Sequence, residues 1–458
     1  MLKWNANNII DATGGRGEGV CNSVYSSNIS TDTRSIKKGD LFIALKGKKF
    51  DGHDFLHEAF LKGAVAAVVS EDKYRNFPLI IVQDTLKALH NMASYYIRNV
   101  LVNAKVITIT GSVGKTTTKD MLHTVLSQYG ASYANKDNLN NNIGLPFTIL
   151  KVPKNCQYLI LEMGMNRAGE IKELSKISNP DIAVITNIEP AHVENFSSLL
   201  DIAQAKLEVL CGMKNNGTLV LNKDNKHYDY LLSNADRNVV SFGKNESATV
   251  CLLDLIRNDS GINLKIKPHN GQIINCNLRL RGEHFTYSAL VVTAVVQSLG
   301  LDLSKLPLAL ENFTVTEGRG NVHQAKYNGK LVHLINDSYN ANPTSMKAAI
   351  RTLGTYSNLR KVALLGDMLE LGNESIVFHT ELLDSIVEQN VNKVHTVGKF
   401  MLELNKLLPE NIKGMHFDDS NQLKSNLANI VQGNDVILVK GSHGMRMDLI
   451  VQEFTIEY

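Results

Sequence analysis

Between Ile107 and Thr118 the chain reads Ile-Thr-Ile-Thr-Gly-Ser-Val-Gly-Lys-Thr-Thr-Thr, an apolar strand pattern running straight into a glycine-bearing turn that closes on Lys-Thr. Glycines at 111 and 114 let the backbone turn tightly and aim N–H groups at anionic oxygens, and a helix starting near Lys115 adds its positive dipole end. The turn Gly111, Ser112, Val113, Gly114, Lys115, Thr116 and Thr117 therefore reads as a phosphate cradle. In it Lys115 reaches the β- and γ-phosphates of a nucleotide, and the Thr116 hydroxyl holds magnesium. The widespread form of this loop carries its first glycine five positions before the second. Ile109 stands there, so the match is to a shorter variant, Thr-Gly-Ser-Val-Gly-Lys-Thr-Thr. An ordinary strand-turn-helix corner is the bland alternative, and Gly-Lys-Thr in this strand-to-helix context weighs against it.

A chain of 458 residues is too long for one core and implies two to four domains. Its net charge of +3 is small for this length. No broad nucleic-acid or membrane footprint is expected, while a local pocket for an acidic substrate is compatible with it. Cys21, Cys156, Cys211, Cys251 and Cys276 are scattered and never in C-x-x-C spacing, which argues against a disulfide framework and a thiolate metal site. The first eight residues carry no apolar signal core, and no run approaches membrane-spanning length. A cytoplasmic, monomeric protein is expected.

Three blocks separate along the chain. Residues 1–100 mix short strands and turns and close with an amphipathic stretch from Leu86 to Ile97 that reads as helical. Residues 101–312 hold the cradle and repeat strand-like runs at Lys105 to Thr110, Tyr158 to Met163, Ile182 to Ile188 and Thr218 to Leu221, with helical patterns between. Such alternation predicts a mostly parallel sheet covered on both faces. From 313 to 458 the rhythm restarts at Leu331 to Ile335, Val362 to Leu365, Val394 to Val397 and Val436 to Val439, a second, smaller α/β unit.

Ligands gather where parallel strands end, so the residues just after each run carry the functional signal. After the second central run comes Glu162-Met-Gly-Met-Asn166, and after the third Thr186-Asn-Ile-Glu-Pro-Ala-His192-Val-Glu194. Glu162 offers a hard oxygen suited to magnesium; His192 offers a nitrogen, an uncommon partner for that ion. A solvated strand-end carboxylate and an ordinary loop histidine are the plain alternatives. Lys206 borders the apolar stripe of a helical stretch, Leu199, Ala203, Leu207 and Leu210. On these residues alone, it lays its stem along the core and keeps its head in water.

Thr110 to Thr117, Glu162-Met-Gly with Gly169-Glu-Ile171, Asn187 to Glu194, and Ala203-Gln-Ala-Lys206 together resemble the central domain of the Mur ligases, in order and in spacing. Three further segments resemble the branch of that family that joins D-alanyl-D-alanine to a UDP-N-acetylmuramoyl tripeptide. They are Thr31-Asp-Thr-Arg34 with Gly39-Asp-Leu-Phe42 and Asp51-Gly-His-Asp54; Asn336-Asp-Ser-Tyr-Asn-Ala-Asn-Pro343; and Gly366-Asp-Met-Leu-Glu-Leu-Gly372. The D-N-P-R signature that selects diaminopimelate in a sibling is absent from the sequence.

The resemblance implies an α/β chain of three domains: a small N-terminal substrate domain, a central phosphate-loop domain and a C-terminal Rossmann-like domain that binds the amine and closes over ATP. It implies ATP and two magnesium ions, with ATP phosphorylating the tripeptide carboxylate and the amine attacking the acyl phosphate. Thr116 and Glu162 then serve the metal sites and His192 the second of them. Lys206 matches a lysine that is carbamylated in several members, becoming an oxygen ligand. Thr33, Arg34, Gly52 and His53 match the uridine diphosphate site, and Asn140, Asn141 and Asn142 a loop near the reacting carboxylate. Arg319 matches a contact to the γ-phosphate and Asp337 a ribose contact, with Asn340 and Asn342 beside the base.

Two segments depart from the family pattern. Gly282-Glu-His284-Phe-Thr-Tyr-Ser288 replaces both asparagines of G-x-H-N-x-x-N, which puts the adenine contacts in doubt, and Ile335-Asn336-Asp337 lacks one of two usual carboxylates. The rivals are a sibling amide ligase such as folylpolyglutamate synthetase, a kinase or motor NTPase using the same cradle, and a nucleotide-binding protein without turnover.

Overall fold

Runs rich in Val, Ile and Leu bounded by glycine and polar turns form the strands of three separate sheets. The computed structural model describes residues 3–456 except 22–25, 27, 48, 72–75, 137, 191–192 and 259–260, with residue 193 described by its backbone.

The first sheet runs Arg16–Glu18, Leu79–Ile81, Ala66–Val69, Asp40–Ile43, Asn28–Ser30, all parallel but the edge strand Arg16–Glu18. The helix Thr85–Asn99 follows. Its N-terminus is fixed by Asp84, whose carboxylate accepts the N–H groups of Leu86 and Lys87, the arrangement that satisfies a helix's orphan donors. Ala88, Leu89, Met92, Ala93, Tyr96 and Ile97 form its buried face. They join one continuous core that extends from Trp4 in the first domain to Leu145, Ile149 and Leu231 in the second. Within it the Tyr96 hydroxyl donates to the Val152 carbonyl at 2.7 Å. The first two domains are thus packed as one body.

The central sheet has nine strands. Ser132–Ala134, Tyr158–Glu162, Lys105–Thr110, Ile182–Ile185, Thr218–Asn222, Asn238–Gly243 and Val250–Asn258 lie side by side in parallel. The parallel rhythm then stops. Val250–Asn258, Gly261–Lys267 and Ile274–Leu278 form an antiparallel meander at the edge, which the sequence reading missed. Gly261–Lys267 alternates buried and exposed residues after its first position, the mark of a strand with one face on a core and one in water. The covering element is the helix Phe285–Ser298, buried along nearly its whole length.

In the third sheet Lys413–Phe417, Lys393–Val397, Arg360–Gly366, Asp435–Lys440 and Lys330–Asp337 are parallel, and Asn321–Tyr327 is antiparallel to Lys330–Asp337 and to Thr455–Ile456. Its two faces have their own apolar clusters, distinct from the core shared by the first two domains. Among the described residues no helix is long and apolar enough to cross a membrane. None of the five cysteines is joined in a disulfide.

Candidate active site between the central and C-terminal domains

The strand Lys105–Thr110 sits between two parallel neighbours, so the turn that follows opens on the crevice at the carboxyl ends of the strands. Gly111 and Gly114 have φ of 148° and 79°, in the region that disfavours side chains. At Gly111 space is equally decisive, because an added Cβ would lie 1.9 Å from Thr186 Oγ1. The turn is gripped from outside. Thr186 Oγ1 donates to the Val113 carbonyl at 2.6 Å, the Ser112 N–H donates to the Asn187 carbonyl, and the Ser112 hydroxyl pairs with the backbone of Glu189. The helix Lys115–Leu126 starts immediately, and its first-turn N–H groups have no intrahelical acceptor.

Inside the turn the charges converge. Thr116 Oγ1 donates to Glu162 Oε2 at 2.8 Å, and Asn140 Nδ2 donates to Glu162 Oε1 at 2.9 Å. Glu162 is 3% exposed, and its backbone N–H is held by Asn135 Oδ1. The Lys115 ammonium donates to the Gly111 carbonyl at 2.7 Å. Burial lowers its pKa and Arg319 lowers it further, against the opposing field of Glu162. Lys206 is 4% exposed, which removes the reading of a lysine with its head in water. Burial, then the charge of Lys115, hold its pKa well below the ordinary value. The Arg319 guanidinium carbon sits over the Tyr339 ring, 3.9 Å from its centroid, a cation–π contact. Lys115 and Arg319 set positive charge beside Glu162, a field that suits a polyanion.

A single cleft of about 1600 Å³ joins these groups. It takes in the turn from Gly111 to Thr117, Asn140, Asn141, Asn142, Glu162 and Lys206 from the central domain, and Arg319, Asp337, Asn340 and Asn342 from the C-terminal domain. Some of these side chains already have local work. Asn141 Oδ1 accepts the N–H groups of Ile143 and Gly144, the Asn142 carbonyl accepts from His90 Nε2, and Asn342 Oδ1 caps the helix Pro343–Gly354. Asn340 Oδ1 accepts the Ala341 N–H. Asp337 pairs at 2.7 Å with Lys440, a fully buried lysine that also donates to the Asn340 carbonyl. Sequence reading passed over Lys440; the signal was a lysine closing the otherwise apolar run Val436 to Val439.

Of the two departures, Phe285 is a core residue, whereas Ser288 lines the cleft. Phe285 is 1% exposed, with its ring 4.0 Å from that of His284, and Ser288 Oγ hydrogen-bonds Thr118 Oγ1 at 3.0 Å. His192 lies outside the described residues.

Thr33, Arg34, Gly52 and His53 lie away from this cleft, at the carboxyl ends of the first domain's parallel strands. Arg34 is exposed and forms a two-pronged pair with Asp32, and the Thr33 carbonyl accepts from Lys62. A Cβ at Gly52 would meet the Leu45 backbone at 2.8 Å. His53 is 2% exposed, its Nε2 accepting from the Ser70 N–H and its Nδ1 facing Asp51 at 2.6 Å. Both ring nitrogens are engaged, so His53 shapes the turn around Gly52 and has no free donor to offer a ligand.

Three family domains match in register with these units: Mur ligase family, catalytic domain over residues 26–103; Mur ligase middle domain over 109–296; and Mur ligase, glutamate ligase domain over 318–443. The chain is 36% identical over 441 residues to the UDP-N-acetylmuramoyl-tripeptide--D-alanyl-D-alanine ligase of Buchnera aphidicola subsp. Baizongia pistaciae, covering 95% of this chain and 94% of that one. It is 35% identical to the enzyme of the same name from Bacillus subtilis, covering 99% and 98%. Among solved structures, MurF from Acinetobacter baumannii superimposes with a TM-score of 0.91 at 30% identity, over 99% of both chains. MurF ligase from Thermotoga maritima in complex with ADP gives 0.82 at 28%, over 93% and 96%.

Proposed function

The chain belongs to the Mur ligase family, and on that premise we propose that its cleft binds ATP against the Gly111–Thr117 turn and activates a carboxylate held beside Glu162. The protein is an ATP-dependent ligase that forms a C–N bond, joining D-alanyl-D-alanine to UDP-N-acetylmuramoyl tripeptide in peptidoglycan synthesis. The observation that carries the assignment of the site is the convergence of Lys115, Thr116, Glu162, Lys206 and Arg319 on one cleft shared by two domains.

In the first step the terminal carboxylate of the tripeptide attacks the γ-phosphorus of ATP, giving an acyl phosphate and ADP. Lys115 and Arg319 lie on the phosphate side and neutralise charge as the phosphoryl group moves. Asn140, aimed by its bond to Glu162, orients the acceptor end. In the second step the amine of the dipeptide attacks the acyl carbon, and the tetrahedral adduct expels phosphate to leave the amide. Thr116 and Glu162 are hard oxygen donors in contact, the set that fits magnesium, which when bound would neutralise the phosphates; His192 and Lys206 would serve a second ion.

Lys206 would do so as a carbamate. Burial and Lys115 favour its neutral amine, which is the form that adds carbon dioxide and releases a proton. The product replaces a neutral amine with an anion beside Lys115. Asp337, Asn340 and Asn342 lie on the nucleoside side, while Thr33, Arg34 and the turn at Gly52 and His53 hold the uridine diphosphate. A cytoplasmic location fits the nucleotide substrates. The test is to mix the protein with ATP, magnesium, UDP-muramoyl tripeptide and D-alanyl-D-alanine. A pentapeptide mass with one ADP per product is expected, and its absence, or preference for a free amino acid, overturns the assignment.

A further inference from the structure

Residues Thr186 to Pro190 lie between the phosphate turn and the C-terminal domain, and Glu189 touches both. On one side Glu189 gives its backbone to Ser112: its N–H donates to the Ser112 hydroxyl at 3.0 Å, and its carbonyl accepts from that hydroxyl at 2.8 Å. On the other side its carboxylate leaves the central domain. Oε2 accepts from Thr344 Oγ1 at 3.0 Å, while Oε1 accepts from Asn187 Nδ2 at 2.8 Å, itself steadied through Asn187 Oδ1 by Asn225. Thr344 is the second residue of the twelve-residue helix Pro343–Gly354. A carboxylate there meets the positive end of the helix as well as a hydroxyl. Further along, Gly372 of the C-terminal domain packs against Glu194, within 3.4 Å of where a Cβ would stand.

We propose that Glu189 is the latch of domain closure, a positioning residue that couples the seat of the C-terminal domain to the shape of the phosphate turn. The C-terminal sheet has its own apolar clusters, so its placement on the central domain depends on contacts such as this one and on the Tyr339–Asn138 bond. The Glu189–Thr344 bond is made in the same arrangement that sets Arg319 on the cleft. The backbone attachment to Ser112 fixes where the carboxylate stands, so the position of the turn sets the seat of the C-terminal domain. The kinetic part of this inference rests on the ligase reading, and the structural part does not.

The experiment is a double-mutant cycle on Glu189→Ala and Thr344→Val with the full-length protein. Two readouts are taken: kcat/KM for D-alanyl-D-alanine, and the dye-to-dye distance between the central and C-terminal domains in saturating ATP analogue and UDP-tripeptide. Each single change should lower kcat/KM about tenfold and lengthen the distance, the double should be no worse than the weaker single, and Glu189→Gln should stay near wild type. The glutamine keeps both bonds, since its oxygen accepts from Asn187 and its NH₂ donates to the Thr344 hydroxyl. Affinity for the ATP analogue in the absence of other substrates should change less than about twofold, because the backbone bonds to Ser112 survive. Additive losses, or an unchanged distance in both singles, overturn the latch. Wild-type protein that closes but makes no pentapeptide overturns the ligase reading and leaves the latch standing on the distance readout.

Discussion

Replacing Gly111 with alanine tests whether the turn ahead of Lys115 is the phosphate site. The new methyl would stand 1.9 Å from Thr186 Oγ1, 3.1 Å from Thr186 Cβ and 3.1 Å from the Asn187 nitrogen, with φ at 148°. One way out is for Thr186 to rotate, giving up its bond to the Val113 carbonyl; losing a buried bond costs about 1–3 kcal/mol. The backbone conformation adds roughly 1–3 kcal/mol for a residue other than glycine. Together these give about 2–6 kcal/mol against the binding-competent turn, or roughly a 30- to 20,000-fold loss of ATP affinity. Calorimetric titration with a non-hydrolysable analogue at fixed salt and magnesium measures it, with circular dichroism as the control for folding. Adding Thr186→Ala should recover part of the loss by removing the hydroxyl, but not the part due to φ. Binding by Gly111→Ala within about threefold of wild type would refute the placement of the phosphates against this turn.

Lys206→Ala should abolish turnover and regain part of it with a short-chain carboxylate such as acetate; full activity without any additive removes Lys206 from the mechanism. Phe285→Ala should lower the stability of the central domain by about 3–5 kcal/mol in urea unfolding, while a change confined to the KM for ATP would contradict the structural role given to that ring. His395 sets an acid limit. Burial, reinforced by Arg360 and Lys393, pushes its pKa down to about 4, against 6.5 when unfolded. Between those values the unfolded chain binds a proton that the native chain does not, so stability should be intact above about pH 6.5 and fall by about 3 kcal/mol as pH drops to 4. His395→Leu should flatten that limb in denaturant titrations at pH 7 and pH 4.5; equal slopes in both proteins would exclude the histidine as its source.

What could be read from sequence was local. The cradle announces itself because strand, glycine turn and helix start are consecutive, and the strand ends after 162 and 185 follow from runs of buried aliphatic residues. Lys206 resisted because helical spacing puts it at the edge of a stripe, and spacing cannot tell a wet edge from one covered by another element. Asn141, Asn342 and His53 show a second limit. Short polar side chains near turns compete for neighbouring backbone donors, and a motif does not reveal which side of that competition won. The roles of Lys440 and Glu189 were not legible for a third reason: their partners lie 100 and 155 residues away. The meander at Val250–Leu278 was missed because its polar positions interrupt the apolar runs that marked the other strands.

The shared core beneath the first two sheets sets the spacing between the turn at Gly52 and the turn at Gly111, because both stand on one continuous packed body. The third unit, packed on its own apolar clusters, is the part able to shift against that foundation without opening a core.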